Sequence, residues 1–458
     1  MKDEVKRMIE DIPLAIKPSI TMDEPNQSIL IHEGNFKLVQ RTMEINLTGT
    51  VKLLWFPNLK VKFIGIVDFC SEKEINLISS DGKFDLFINE EKLGSFYLMN
   101  KTFSDQVELS GILKGRAILG DGTIKVDKLK FVIPNLRDFF GESIRDETEN
   151  YLGRDRLVFE NEYFTIRIDR ERNFKDKVNR LKDTGGYVFL YNGEMICHKN
   201  PVSTEDISDT IHSFSTFLSF LNGRRTTPLI IQGMDDGKTI WTDYTDYTVD
   251  QYQYVTTWPA KHDINGLNEL WQEFYKLWRN KSDKNLLISA VHWYVEANAY
   301  SGYVEGSITW TQTALELMYN WFVVEKNQLI RGRDCENLSA ANKVRLLLSQ
   351  VNGMNNDNIN LENLKQFVRD NNSIHDEIDA FVEIRNAIVH SQKEKRLKLE
   401  NISTIVKYEA LEFGIWCLEI SLLNILKFKG VFYNRCSRKL WAGEGEERSP
   451  LASTKQNH

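Results

Sequence analysis

FVEIRNAIVHS, residues 381–391, is an apolar segment into which Arg385, Asn386 and His390 intrude. Burying a charge is costly unless it is paired, so these groups are solvated, satisfied by neighbours, or engaged in chemistry. Ile378, Phe381, Ile384 and Ile388 recur at steps of three and four, which predicts one buried stripe on a helix over 375–391. Arg385 and Asn386 lie off that stripe, and Asn386 precedes His390 by one turn on the same face. Arg385 and His390 are about 140° apart on a straight helix. They converge only at a helix end or in a groove, and the polar run SQKEKR that follows places a helix end there. The plainer reading is an arginine with its stem along the surface and a histidine favoured by the C-terminal dipole.

Working outward, the same 3.6-residue period predicts helices near 264–280, 283–300, 304–326, 338–351, 361–370 and 402–428. GSITWTQTALELMYNWFVVEK (306–326) is very apolar yet carries Thr309, Thr313, Glu316 and Asn320 as one polar stripe, either a solvent edge or part of a site. FGIWCLEISLLNILKF (413–428) is interrupted by Glu419 and too short to span a bilayer, and reads as a core helix.

From about 28 to 200 the period is two, as in FKLVQRTMEINL, LKVKFIGIVDF and YFTIRIDR, with DG and NG turns between. This predicts a mainly antiparallel β region, a sandwich or an open barrel. A helix over 204–222, capped by Ser203 and Asp206 and stopped by Gly223, and two strands in TPLIIQG and KTIWTDY complete it. The expected class is α+β: a β-rich domain over 1–262, a helical domain over 263–432 and a disordered tail over 433–458.

A net charge of −7 argues against coating nucleic acid by bulk electrostatics, while leaving room for a local basic patch. Five scattered cysteines without a CxxC pair suggest neither disulfides nor a thiolate metal site, as suits a reducing cytoplasm. The acidic N-terminus has no apolar signal region, and no membrane segment is expected. GMDDGKT (233–239) has three residues between its glycines where a P-loop has four, and its aspartates would repel phosphate; it reads as a hairpin turn. RDNNSIH (369–375) spaces an arginine and a histidine closely but reads as a polar loop. HExxH, clustered His/Cys ligands and GxSxG are absent, so no metal or cofactor is expected.

RNAIVH, the ALEL segment holding Glu316, and the long closing helix resemble the HEPN ribonuclease domain, specifically the ApeA-like group of bacterial anti-phage proteins. The resemblance covers about 285–430. It extends more faintly to a β-rich domain placed before the helices and to FLSFLNGR (217–224). It implies an all-α HEPN helical bundle and metal-independent RNA cleavage by a homodimer with the motif at the subunit interface. Arg385, Asn386, His390 and Glu316 are then the expected catalytic residues. Structured tRNA loops are a plausible substrate class, because such cleavage needs unstacked nucleotides.

The chemistry stands on its own terms. Activating a ribose 2′-hydroxyl against its phosphate needs a base, an acid and a cation. Imidazole serves the first two near neutrality, and guanidinium binds phosphate bidentately without losing its charge. One motif supplies one histidine, so two proton transfers are better served by two copies at a two-fold interface. Lys393, Lys395, Arg396 and Lys398 follow at once, either as RNA-backbone contacts or as a solvated basic run. The resemblance also implies an abortive-infection effector whose N-terminal domain senses a phage-derived protein. The competing readings are a non-catalytic HEPN dimerisation scaffold with a β-rich binding domain, and a toxin held by a separate antitoxin.

Overall fold

The computed structural model describes residues 11–68, 78, 82–146, 152–299, 303–351, 359–390, 392–437 and 446–449, the side chains of Arg396, Glu446, Glu447 and Arg448 excepted. The chain divides into Met1–Ser215 with Thr226–Gln253, and Thr216–Arg225 with Tyr254–His458. A β-rich N-terminal region is followed by a helical C-terminal region, so the class is α+β.

In the first unit, β1 (Ile29–Gln40), β2 (Met43–Leu54), β3 (Lys60–Val67), β4 (Lys83–Ile88), β5 (Glu91–Phe103) and β6 (Val107–Leu113) form a closed barrel in the order β1-β2-β3-β6-β5-β4. Strict alternation supplies its interior: Val61, Phe63 and Val67 of β3 are buried while Ile64 and Ile66 face out. Phe63 makes edge contacts with Phe36 at 5.8 Å and Phe96 at 5.6 Å. A Cβ on Gly65 would lie 2.8 Å from Phe36 Cζ, so only glycine lets that ring cross the barrel. The sequence pattern predicts a sandwich or an open barrel; these six strands instead close on themselves because β1 pairs with β4 as well as β2.

Next come β7 (Ile118–Gly120), β8 (Lys128–Pro134), β9 (Glu142–Arg145), β10 (Leu152–Glu160), β11 (Phe164–Arg170), α1 (Phe174–Thr184), β12 (Phe189–Cys197), α2 (Ile207–Asn222), β13 (Leu229–Asp235) and β14 (Lys238–Asp243). Their strands make one sheet in the order β7-β14-β13-β8-β12-β11-β10-β9. Arg156 and Asp169 face each other across β10 and β11 and form a buried two-point ion pair at 2.7 Å. The GMDDGKT segment is the hairpin turn expected, with Asp236 and Gly237 both at positive φ between Asp235 and Lys238. Ser203 and Asp206 exchange cap hydrogen bonds before α2, and Gly223 ends it at φ +67.

In the second unit, α3 (Leu267–Arg279), α4 (Lys281–Asn298) and α5 (Tyr303–Met318) lead into a π-helical segment, Tyr319–Lys326. Then follow α6 (Arg333–Asn337), α7 (Ala340–Leu348), α8 (Glu362–Asp370), α9 (Glu377–Val389), α10 (Lys393–Glu400) and α11 (Thr404–Ile425). RDNNSIH spans the end of α8 and the connection to α9. Helix α11 is buried nearly all round and accepts α5, α7, α8, α9 and α4 against it.

The segment after α11 corrects the expected tail. Val431–Tyr433 pairs with Glu446–Arg448, and Arg435 is buried; the rest of the tail call, 438–445 and 450–458, lies outside the described residues. Arg435 donates to Glu419 Oε1 at 2.7 Å and Oε2 at 3.0 Å, to Glu412 at 3.4 Å, to Asn298 at 3.1 Å and to the Thr256 carbonyl at 2.8 Å. Tyr294 donates to Glu419 at 2.8 Å. Burial pushes the Glu419 carboxyl above the usual range, and the Arg435 charge opposes it. Removing one partner of such a group leaves the other charge buried and uncompensated, at about 3–5 kcal/mol. Arg435→Met should lower stability by about that amount in urea unfolding at pH 7. The loss should shrink as pH falls, because Glu419, raised by burial and deprived of the Arg435 charge, takes up a proton. Equal stability of Arg435→Met and wild type would show that the charge is not compensated by these carboxylates.

Candidate functional site

Helix α9 starts under firm control. Asp376 caps it, accepting from the Asp379 N–H at 2.8 Å. Arg345 of α7 holds both oxygens of Asp376, at 2.7 Å, and Asp379 at 2.7 Å. Ala380, Phe381, Val382, Ile384 and Ala387 are buried, whereas Ile378 and Ile388 are only half-buried. The predicted stripe is therefore rotated. Helix α9 meets α5, α7, α8, α10 and α11 on several sides, so its buried positions, Ala380 and Ala387 among them, spread beyond one stripe.

At its other end α9 stops at Val389, and His390 leaves the helical conformation at φ −91 and ψ 106. His390 is exposed, and its backbone N–H donates to the Asn386 carbonyl at 3.0 Å. The Asn386 side-chain oxygen accepts from Arg385 at 3.4 Å. Asn386 thus touches both predicted catalytic residues, one through its side chain and the other through its backbone. Arg385 is half-buried; its Nε is buried without a partner, and among the described residues no carboxylate pairs with it. Its guanidinium retains free donors in a fixed planar fork, suited to a two-pronged oxyanion.

Glu316 does not join this group. Glu305 of α5 pairs with Lys407 of α11 at 3.1 Å, and a Cβ on Gly414 would lie 3.0 Å from Thr311, so α5 and α11 run parallel. That same Cβ would lie 2.5 Å from Phe381. The Cys417 thiol is pushed up by burial and also by the charge of Glu377, so α9 runs antiparallel to both. Glu316 is consequently level with the start of α9, roughly 12 Å along the axis from Arg385 and roughly 20 Å from His390 at 1.5 Å per residue. It is half-buried and accepts a hydrogen bond from Gln312 at 2.9 Å. Thr309, Thr313 and Glu316 do form a half-buried stripe ending in exposed Asn320. The acid of α5 at the motif end is Glu305, one turn before Thr309, a position its spacing would have revealed.

The basic run also differs from its simplest reading. Lys395 and Lys398 fold back on helix α10 to Glu383 of α9, at 3.2 and 2.7 Å. Lys393 is exposed, and the side chain of Arg396 lies outside the described residues. Burial alone would raise the Glu383 carboxyl, but the bonds from Lys398 and Lys395 outweigh it and hold the group below the usual glutamate range. Among the described residues no cluster of His, Cys, Asp and Glu is arranged to hold a metal ion, and no helix is long and apolar enough to cross a membrane.

The family model for the YopA C-terminal domain matches residues 280–447, which contain this site, and that for the YopA central domain matches 121–255. The chain is 25% identical over 429 residues to the SPbeta prophage-derived uncharacterized protein YopA of Bacillus subtilis (strain 168), covering 92% of this chain and 95% of that protein. No solved structure matches it.

Glu383 offers a direct check on the geometry. Its folded pKa is depressed, so its contribution to stability is present above the ordinary value of 4.5 and is lost as pH falls through the lower folded value. Glu383→Gln should lower stability at pH 7 and flatten the acid limb of the stability–pH curve. An unchanged acid limb would show that the two lysines do not engage this carboxylate.

Proposed function

We propose that the helical unit is a HEPN-type, metal-independent endoribonuclease acting in anti-phage defence from the cytoplasm, with host RNA, tRNA foremost, as its substrate. The carrying observation is Arg385: a half-buried guanidinium with no carboxylate partner among the described residues, linked through Asn386 to a histidine exposed at a helix end. A phosphate supplies the missing counter-charge. Arg385 holds the scissile phosphate and stabilises charge developing on it. His390 takes the 2′-hydroxyl proton or delivers one to the leaving 5′-oxygen. Asn386 fixes the relation between the two.

One chain offers one such histidine, so the reading includes a homodimer with two motifs facing each other. Val389, Leu397, Ile405 and Tyr408 support it: they are large, exposed, and lie on the helices around the motif end. The β-rich unit would carry the sensor, with a phage-derived protein as trigger and an inhibited resting state. The prophage source in the relative's name fits a role in conflict between phages. The non-catalytic scaffold reading gains from two facts: Glu316 is distant from the motif, and Lys395 and Lys398 are already paired.

Arg385→Ala and His390→Ala should each reduce RNA cleavage at least a hundredfold, with unchanged circular dichroism, and wild-type cleavage should persist in EDTA and leave a 2′,3′-cyclic phosphate. Glu316→Gln should be nearly silent in the same assay. Full activity in His390→Ala, or a strict magnesium requirement, would remove the proposal. Full activity in a strictly monomeric protein would remove its two-copy form.

A further inference from the structure

Strand β9 is an edge of the eight-stranded sheet, and another piece of the chain already sits on it. Residues 12–16, IPLAI, run extended beside it, with Leu14 bridged in parallel to Arg145. The Arg145 N–H donates to the Pro13 carbonyl at 2.9 Å, and the Arg145 carbonyl accepts from the Ala15 N–H at 2.7 Å. Arg145 Nε adds a bond to the Ile12 carbonyl at 2.9 Å. Backbone groups of alternate residues point to opposite edges of an extended chain, and the other edge is met by the Arg156–Asp169 pair. Arg156 donates to the Leu14 carbonyl at 2.8 Å, and Asp169 Oδ2 accepts from the Ile16 N–H at 2.7 Å. The segment is thus held along both edges at once.

All of these bonds go to backbone groups, which every sequence shares. Side chains add little: Pro13 is exposed, Leu14 is 46% exposed, and Ile12, Ala15 and Ile16 are only half-buried. A strand that anchors a sheet buries one face of its side chains, and this one buries none fully. Its departure would bare the edge of β9 and leave Arg156 and Asp169 each short of a bond. A buried ion pair contributes little to stability by itself. Here its remaining donor and acceptor stand where the backbone of an added strand needs them.

We propose that β9, Arg156 and Asp169 form a peptide-docking site, filled by residues 12–16 in this structure and taken over by an extended segment of a partner protein. The incoming strand lies parallel to β9 and is recognised through its main chain, the mode of β-strand addition. It must bring free amides to the places of Ala15 and Ile16, whereas proline fits at that of Pro13, where only the carbonyl is used. The site lies within the β-rich unit, and the proposal stands without the ribonuclease reading.

The test uses the full chain and a fluorescein-labelled peptide of residues 11–20, DIPLAIKPSI, followed by anisotropy. The resident segment competes at a high effective concentration, so the wild type should bind the peptide weakly. Ala15→Pro with Ile16→Pro removes both donated amides of the resident and should raise affinity at least tenfold, with circular dichroism checking the fold. Methylating the same two amides of the peptide should cost at least tenfold, while alanine in place of its Leu14 should change binding less than threefold. A second measurement needs no variant: wild-type hydrogen exchange should show the Ala15 and Ile16 amides opening at least a hundredfold faster than those of Ile166 and Ile168 in β11. No gain in the double variant, equal binding of the methylated peptide, or exchange of the resident amides only together with those of β11 would each overturn the proposal. A wild-type dimer that dissociates in the double variant would give the site to a second copy of the chain, and overturn it too.

Discussion

Arg435 brings a full positive charge into the interior of the helical unit, and the surrounding helices are oriented to satisfy it. Its guanidinium meets Glu419 and Glu412 from α11, Asn298 from α4 and the carbonyl of Thr256. These bonds fix the rotation of α11 about its own axis, which apolar packing alone leaves loose when a helix is buried nearly all round. With α11 fixed, Gly414 faces Phe381 of α9 and Thr311 of α5, where any larger residue would collide. The motif end of α9 is positioned at the end of this chain of contacts.

Charge near the motif is distributed unevenly. Glu383 takes two lysines and Lys407 takes Glu305, while Arg385 is left without an acid among the described residues. A solvated basic helix face would leave its lysines free and its arginine paired. Here Lys395 and Lys398 are paired while Arg385 has no carboxylate among the described residues, so unpaired positive charge remains on a group whose geometry suits an oxyanion.

Much of this was legible in the sequence because periodicity and turn chemistry are local. The switch from period two to 3.6, the cap at Ser203 and Asp206, the hairpin turn at Asp236 and Gly237 and the helix end before His390 all follow from neighbouring residues. What was not legible depends on register between distant segments. Alternation marks the inner face of β1 but not its pairing with β4, which closes the barrel. The period of α5 gives the face of Glu316 correctly but not its level, which its packing against α11 decides. Arg435 stands in a polar stretch that looks like tail, and its acids lie 16 and 23 residues before it. Lys395 and Lys398 resemble a solvated run because their partner belongs to the preceding helix.

Helix α9 is gripped at Asp376 by Arg345 and open at His390, and this makes it a dial whose zero is set at one end and read at the other. One residue inserted between the two would lengthen the helix by only about 1.5 Å but turn its far end by about 100°. A full turn added would carry the end about 5.4 Å outward and restore nearly the same bearing. The segment from Asp376 to His390 should therefore be more forgiving of a change in length by three or four residues than by one or two, and a substitution that loosens the Arg345 grip should blur where the imidazole points without touching it.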